Sequence, residues 1–119
     1  MEKPLRNKRF GFAIRIVKLF RFLQKEKREF VMSKQLLRSG TAIGALYREA
    51  EFAESKADFI HKLAIAQKEC NETIYWLELL EASEYLTTQQ FEDINRDAVE
   101  LIKLLTSIIK SAKKSLQKN

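Results

Sequence analysis

The apolar residues near the end of the chain recur at alternating spacings of three and four, and this periodicity restricts the fold more than any other feature. It runs through Phe91, Ile94, Ala98, Leu101, Leu105, Ile108 and Ala112. Such a heptad seam suits helices that pack against each other at a shallow angle. A second seam of the same kind lies upstream, at Phe59, Leu63, Ala66, Cys70, Thr73, Leu77 and Leu80. The two seams predict an all-α chain.

Residues that interrupt helices are scarce, with three Gly and one Pro among 119 residues, too few for the turns of a many-stranded fold. The hydrophobic periodicity predicts four helices, over residues 7–27, 30–53, 56–83 and 88–115. Ser55 and Asp58 form a capping box at the start of the third helix, and residues 87–90 provide a second capping signal. We expect one domain, residues 1–119, folded as an antiparallel up-down-up-down four-helix bundle.

The first predicted helix is apolar around more of its circumference than a monomeric bundle requires. Its polar stripe is restricted to Arg15, Lys18, Arg21 and Lys25. The remaining apolar arc is roughly 200°, where an arc of about 100° suffices for a surface helix. Contacts between subunits would bury the excess, so we expect a homo-oligomer. The alternatives are a deeply buried helix in a tight monomer and, less favoured because the polar stripe is narrow, a helix lying on a membrane surface.

Small residues cluster in the second predicted helix, at Ser39, Gly40, Thr41, Ala42, Gly44 and Ala45. Each glycine within a helix costs about 1 kcal/mol relative to alanine. Since the two glycines lie four residues apart, on one face, we expect the close approach of another helix backbone to compensate. No Lys-Ser/Thr pair follows them, which excludes a phosphate-binding loop.

The net charge of +6 conceals a strong separation of charge along the chain. Residues 1–28 contain ten basic and two acidic side chains, and residues 101–119 contain five lysines and no acidic residue. Residues 56–100 contain ten acidic and four basic side chains. In an up-down-up-down bundle the start of the first helix and the end of the fourth lie at the same end, so we expect one basic end and one acidic end.

A basic cluster on one side of a protein is typical of nucleic-acid binding. The predicted nucleic-acid-binding residues are Lys3, Arg6, Lys8, Arg9, Lys110, Lys113, Lys114 and Lys118. They would contact phosphates of RNA or DNA without base specificity. A merely solvated basic surface is the alternative, and assembly into a ring would strengthen binding because every subunit repeats the patch.

The residues that carry most enzyme chemistry are scarce. The single histidine, His61, lacks the further metal ligands or the nucleophile that a zinc site or a catalytic site would need. The single cysteine, Cys70, falls on a core seam. Four glutamates have helical spacing, Glu69, Glu72, Glu78 and Glu81, which suits an ion-paired surface better than a hydrolase site. We predict no catalytic residue, no metal and no cofactor. The apolar stretch over residues 10–23 is interrupted by basic residues, so we expect no membrane association and a cytoplasmic location.

Residues 35–80 carry a run of motifs that resembles a known family. The quoted segments are RSGTAIGA (residues 38–45), REA (48–50), ESKADFIHKL (54–63), KECNET (68–73) and YWLELL (75–80). They resemble the four helix bundle proteins encoded in intervening sequences of bacterial 23S rRNA genes, also called S23 ribosomal proteins. The residues that carry this motif, with structural or assembly roles implied, are Arg38, Gly40, Gly44, Arg48, Glu49, Ser55, Asp58, Phe59, Lys62, Glu69, Glu72 and Trp76.

The resemblance implies antiparallel four-helix bundles that assemble as pentameric rings, without an established enzymatic activity. The family is similar to the accessory protein of diversity-generating retroelements, a basic pentamer that binds nucleic acid and a reverse transcriptase. One departure is Leu46, which stands where the family usually has Asn. We therefore expect a non-enzymatic, self-assembling bundle, with a pentamer favoured, that binds RNA or DNA. The alternative is an adaptor that binds another protein and has no direct nucleic-acid contact.

Overall fold

Four α-helices form the chain in a computed structural model that describes residues 4–117, with side chains described from residue 8 onward. They are α1 (Pro4–Lys25), α2 (Met32–Glu51), α3 (Lys56–Ala82) and α4 (Thr88–Gln117). The described residues contain no strand. The predicted all-α four-helix bundle is confirmed.

Reciprocal side-chain caps begin α3 and α4 where the sequence predicts. Ser55 Oγ accepts a hydrogen bond from the Asp58 backbone N–H at 3.0 Å, and the Asp58 carboxylate reaches back to the Glu54 N–H at 3.3 Å. At the next helix, Thr87 Oγ1 accepts from the Gln90 N–H at 3.1 Å, while Gln90 Oε1 accepts from the Thr87 N–H at 2.9 Å. Both caps provide acceptors for N–H groups that a helix start leaves without partners.

The connection between α1 and α2 is longer than predicted, because α1 ends at Lys25 and α2 begins only at Met32. The chain leaves α1 through Arg28, whose φ of 55° cannot continue a right-handed helix. The buried Glu29 carboxylate then accepts hydrogen bonds from the backbone N–H groups of Val31, Met32 and Ser33, at 2.8, 2.8 and 2.7 Å. This cap was not predicted, since a glutamate three residues before a helix is not a usual capping signal.

The core contains residues of all four helices, and on α3 and α4 these include most positions of the predicted seams. On α3 the fully buried residues are Leu63, Ala66, Cys70, Thr73, Leu77 and Leu80. On α4 the buried residues are Ile94, Ala98, Leu101, Leu105 and Ile109. Four seam positions differ, since Phe59, Phe91, Ile108 and Ala112 are only partly buried, and Ile109 takes the buried place that the heptad assigns to Ile108. An α-helix has 3.6 residues per turn and drifts from a strict 3.5-residue seam over its length.

Each helix packs against two others, in the cyclic order α1, α2, α3, α4. Contacts between neighbours join the start of one helix to the end of the next. For example, Lys56 Nζ at the start of α3 donates to Ser115 Oγ near the end of α4 at 2.5 Å. Deeper in the same pair, the Cys70 thiol donates to the Ala98 carbonyl at 3.3 Å. None of the helices within residues 4–117 is long and apolar enough to cross a membrane.

Candidate functional site

The predicted basic end does not form as a single cluster among the described side chains. Lys8 pairs with Glu100 near the middle of α4. Arg9 is only 6% exposed, and its guanidinium lies 3.6 Å from the centroid of the Tyr47 ring. Lys8 is therefore exposed but ion-paired, and Arg9 is buried. The other predicted residues of the two termini, Lys3, Arg6 and Lys118, lie outside the described side chains.

The predicted basic residues of α1 and those of α4 lie at different heights along the bundle axis. Lys8 lies level with Glu100, while Lys110 follows ten residues later on the same helix. At 1.5 Å per residue, that distance is about 15 Å. The expectation that Lys8 and Arg9 lie beside Lys110, Lys113 and Lys114 is therefore wrong. It failed because α4 is longer than α1 and its last turns lie beside the start of α3 instead.

The structure shows a different basic surface, along the outer side of α4. Four exposed cations recur at spacings of seven, seven and four, and we call them the α4 basic stripe: Arg96, Lys103, Lys110 and Lys114. Helical geometry places all four within about 40° of one another around the axis, over a length of about 27 Å. Lys113 is also exposed, but it lies about 60° around the helix axis from Lys110, outside the stripe.

The cations of this stripe are largely unneutralised. Arg96 contacts Asp93 of the preceding turn at 3.5 Å, with its side chain 71% exposed. The three lysines form no ion pair with any side chain in residues 8–117. Lys110 and Lys114 belong to the predicted set, whereas Arg96 and Lys103 do not, although the heptad spacing of the cations points to them.

A second surface feature is a groove of about 620 Å³ between α1 and α2, which we call the α1–α2 groove. Its main lining residues are Phe10, Ala13, Thr41, Ala45, Arg48 and Phe52. The two phenylalanines are 60% and 86% exposed. Ile14, on the next turn of α1, is 42% exposed. The excess apolar arc predicted for the first helix is therefore present, and this chain leaves part of it uncovered.

Small residues of α2 line this groove, and a neighbouring one, Gly40, lets α1 pack closely against α2. A Cβ at Gly40 would lie 2.8 Å from Cγ1 of Ile16, whereas a Cβ at Gly44 would lie 3.9 Å from the Arg9 backbone carbonyl. The predicted close approach therefore occurs only at Gly40, where the Ile16 side chain and not a backbone approaches, while Gly44 has ordinary van der Waals room. Ser39 is buried next to them and accepts a hydrogen bond from Thr73 Oγ1 at 2.9 Å.

The charged residues of the family-like motif join α2 to α3. Arg38 donates to Glu69 at 3.1 Å and also pairs with Glu72, whose carboxylate accepts from Trp76 Nε1 at 3.0 Å. Two turns along, Lys62 pairs with Glu49 at 3.1 Å. Phe59 and Leu46 both pack at the edge of the core. These motif residues make contacts within the chain, and Leu46 contributes packing at the position where the family usually has Asn.

The remaining candidates for chemistry show no assembled site. His61 is exposed, and burial raises the pKa of the Cys70 thiol to about 12. Within the described part of the chain, no three His, Cys, Asp or Glu side chains come close enough to hold a metal ion. The carboxylates Glu69 and Glu72 are engaged by Arg38.

Two comparisons identify relatives of this chain. The family model described as 23S rRNA-intervening sequence protein matches residues 4–107. A solved structure of a protein with unknown function from the S23 ribosomal protein family of Bacteroides thetaiotaomicron is 62% identical, with a TM-score of 0.88. That match covers 89% of this chain and 98% of the solved one. No curated protein matches the chain. The matched length and the shared fold together show that this protein belongs to the 23S rRNA-intervening sequence protein family.

Proposed function

We propose that this protein is a non-enzymatic, self-assembling bundle that binds the phosphate backbone of RNA or DNA through the α4 basic stripe. The observation that carries the proposal is the row of exposed cations at Arg96, Lys103, Lys110 and Lys114, whose lysines have no acidic partner among the described side chains. A linear row about 27 Å long suits a polyanion better than a compact ligand.

The expected binding is electrostatic and independent of base sequence. Each phosphate that a cation neutralises releases condensed counterions, and the slope of log K against log salt changes by about −0.9 per contact on duplex DNA. Three or four contacts per subunit give weak binding. Assembly multiplies the stripe, so that one nucleic acid meets several copies at a high effective concentration.

Self-assembly is supported by the α1–α2 groove. Phe10 and Phe52 are large apolar side chains that this chain leaves mostly in water, and an uncovered patch of this kind is typical of an interaction surface. We favour a pentamer, in keeping with the rings that the family resemblance implies.

The test is a salt series of fluorescence anisotropy with a labelled single-stranded RNA and a labelled DNA duplex. The triple variant Lys103→Gln, Lys110→Gln, Lys114→Gln should bind about tenfold more weakly or worse, and its salt slope should be smaller by two to three, roughly 0.9 per lost contact. The matched control removes three exposed cations of α1, by Lys18→Gln, Arg21→Gln and Lys25→Gln, and should keep most of the affinity. Absence of binding at low salt, or equal losses in both variants, would contradict the proposal.

A second candidate function is an adaptor that binds another protein, and the groove is the observation that favours it. Native mass measured with and without nuclease separates the two functions. A nucleic-acid-binding assembly loses mass on nuclease treatment, whereas a protein adaptor keeps its partner. The variants of the α4 basic stripe would then leave partner binding unchanged.

A further inference from the structure

We propose that the α1–α2 groove of one copy receives the outer side of α3 of a second copy, with Tyr75 inserted between Phe10 and Phe52. The inference rests on the self-assembly proposed above and names the two surfaces that meet. The second surface, which we call the Tyr75 face, consists of Asn71, Tyr75 and Glu78.

The groove has the shape of a receptor for one large side chain. Thr41, Ala45 and Ala13 contribute short side chains to its lining, and Phe10 and Phe52 contribute long exposed ones. Its volume of about 620 Å³ exceeds that of an aromatic side chain. A contact of this form buries rings that would otherwise stay in water, and aromatic anchors in pockets dominate the energy of many interfaces.

The Tyr75 face presents such a side chain in a fixed position. Tyr75 is 54% exposed, although α3 otherwise buries most of its apolar residues. Its ring meets the Trp76 ring edge to face, with centroids 5.1 Å apart and planes at 70°. The Trp76 indole is itself held by a hydrogen bond to Glu72 at 3.0 Å. A ring supported in this way loses little conformational freedom on binding.

The charges of the two surfaces are opposite. The exposed Arg48 lies at the rim of the groove. The carboxylate that lines the groove, that of Glu49, is already paired with Lys62 at 3.1 Å. On the Tyr75 face, Glu78 is exposed and follows Tyr75 by three residues, on the same side of α3. Joining two grooves to each other would instead bring two copies of Arg48 together, which like-charge repulsion opposes.

The geometry of the bundle prevents the two surfaces from meeting within one chain. The backbone of the described part of α1 lies next to α2 and α4 and does not come close to that of α3, so the groove and the outer side of α3 face different directions. A contact between two different surfaces is heterologous, and its repetition gives a closed ring when the rotation closes. The same contact therefore accounts for a cyclic assembly without further interfaces.

Disulfide trapping tests which surfaces meet. We would mix the single variants Ala45→Cys, in the groove, and Asn71→Cys, on the Tyr75 face, under mild oxidation. The native Cys70 is fully buried, so that only the introduced thiols react. The expected result is a covalent dimer in the mixture and none in either variant alone. Dimers of Ala45→Cys with itself would show groove-to-groove pairing and overturn the proposal, as would the absence of dimers in the mixture.

A charge exchange provides the second measurement. Arg48→Glu and Glu78→Arg should each weaken association about tenfold, and the double variant should recover most of it, with native mass as the readout. Lys25→Glu, an exposed cation on α1 outside the groove, is the matched control and should associate like the wild type. Circular dichroism verifies that each variant is folded.

The outcomes separate this proposal from the proposed function. A wild-type protein that stays monomeric at every concentration overturns self-assembly and this contact together. A wild-type oligomer that survives Arg48→Glu and Glu78→Arg unchanged overturns the contact alone. Nucleic-acid binding through the α4 basic stripe is measured independently of both.

Discussion

Replacing Glu29 by alanine is predicted to destabilise the fold more than any exposed substitution nearby. Its two carboxylate oxygens accept three backbone N–H groups at the start of α2, at 2.7 to 2.8 Å. The Ser33 hydroxyl also donates to the Glu29 carbonyl at 2.8 Å. Glu29 is only 6% exposed, and Ser33 is fully buried. The variant therefore leaves buried donors that water cannot fully satisfy.

The expected loss follows from these hydrogen bonds. A single side-chain cap contributes about 1 kcal/mol, and a hydrogen bond to a charged group about 1.5 to 3 kcal/mol. Val31 is 75% exposed, so water replaces part of what its N–H loses, while the Ser33 N–H stays unsatisfied. We expect Glu29→Ala to lower the free energy of unfolding by about 2 to 3 kcal/mol, which corresponds to a fall in Tm of roughly 10 °C. Glu29→Gln keeps one acceptor oxygen and should lose roughly half as much.

Urea unfolding followed by circular dichroism measures this loss. All variants must be compared at one protein concentration, because self-association stabilises the folded state by mass action. Glu26→Ala, which removes an exposed carboxylate three residues earlier, is the matched control and should change the unfolding free energy by less than about 0.5 kcal/mol. Equal stabilities of Glu29→Ala and Glu26→Ala would refute the assignment of Glu29 as the cap of α2.

The same cap predicts a pH dependence. Burial alone raises the pKa of Glu29, but the hydrogen bonds from Ser33, Met32 and Val31 outweigh it and hold the pKa below its usual value of 4.5. As the pH falls, Glu29 takes up a proton in the unfolded chain before it does so in the folded protein. The stabilisation is therefore complete above the pKa of Glu29 in the unfolded chain, and it is lost as the pH falls through the pKa of Glu29 in the folded protein. The difference in stability between wild type and Glu29→Ala should therefore shrink in acid. If the difference in unfolding free energy between the two proteins stayed constant from neutral to acidic pH, this role of the Glu29 carboxylate would be contradicted.

Three further predictions concern the core and a helix start. Gly40→Ala should destabilise the protein by about 1 to 2 kcal/mol in urea unfolding, since the new Cβ meets the buried Ile16 at 2.8 Å. Gly44→Ala should instead be neutral or stabilising, because its Cβ would lie 3.9 Å from the nearest atoms of Arg9. If both variants changed the free energy of unfolding in the same direction, the packing described at Gly40 would be contradicted. Cys70 should react with a thiol reagent near pH 8 only after denaturation, because it is fully buried and its thiol pKa is raised to about 12; rapid labelling of the folded protein would contradict its burial. Ser55→Ala should cost about 1 kcal/mol through loss of the cap of α3, and an unchanged Tm would show that this cap is not needed.

Local patterns in the sequence predicted the helices and most of the core. The caps at Ser55 and Thr87 are short-range hydrogen bonds between residues three apart, so that the sequence alone contains both partners. The α3 seam is likewise a property of one helix. The start of α2 was not predicted, because Glu29 acts through the fold of a connection whose path depends on the positive φ at Arg28.

The candidate surfaces depend on distances between helices. The lysines of the α4 basic stripe are regularly spaced in the sequence, but their lack of acidic partners depends on what α1 and α3 place beside them. Arg9, in contrast, looks like any other basic residue in the sequence, whereas the approach of α1 to α2 buries it over Tyr47. The axial offset between α1 and α4 decides which cations meet.

The sequence by itself determined the number of helices, their order and most core positions of α3 and α4, and the motifs of residues 35–80 indicated the family. The helices and the core positions follow from periodicity and capping, in which every interaction spans a few residues. Only the tertiary structure decided how the charges are paired and where the apolar surface stays uncovered. Ion pairs such as Lys8 with Glu100 and Arg38 with Glu72 join residues far apart in the chain. The relative position of two packed helices determines which residues pair, and the sequence pattern of a single helix carries no information about that position.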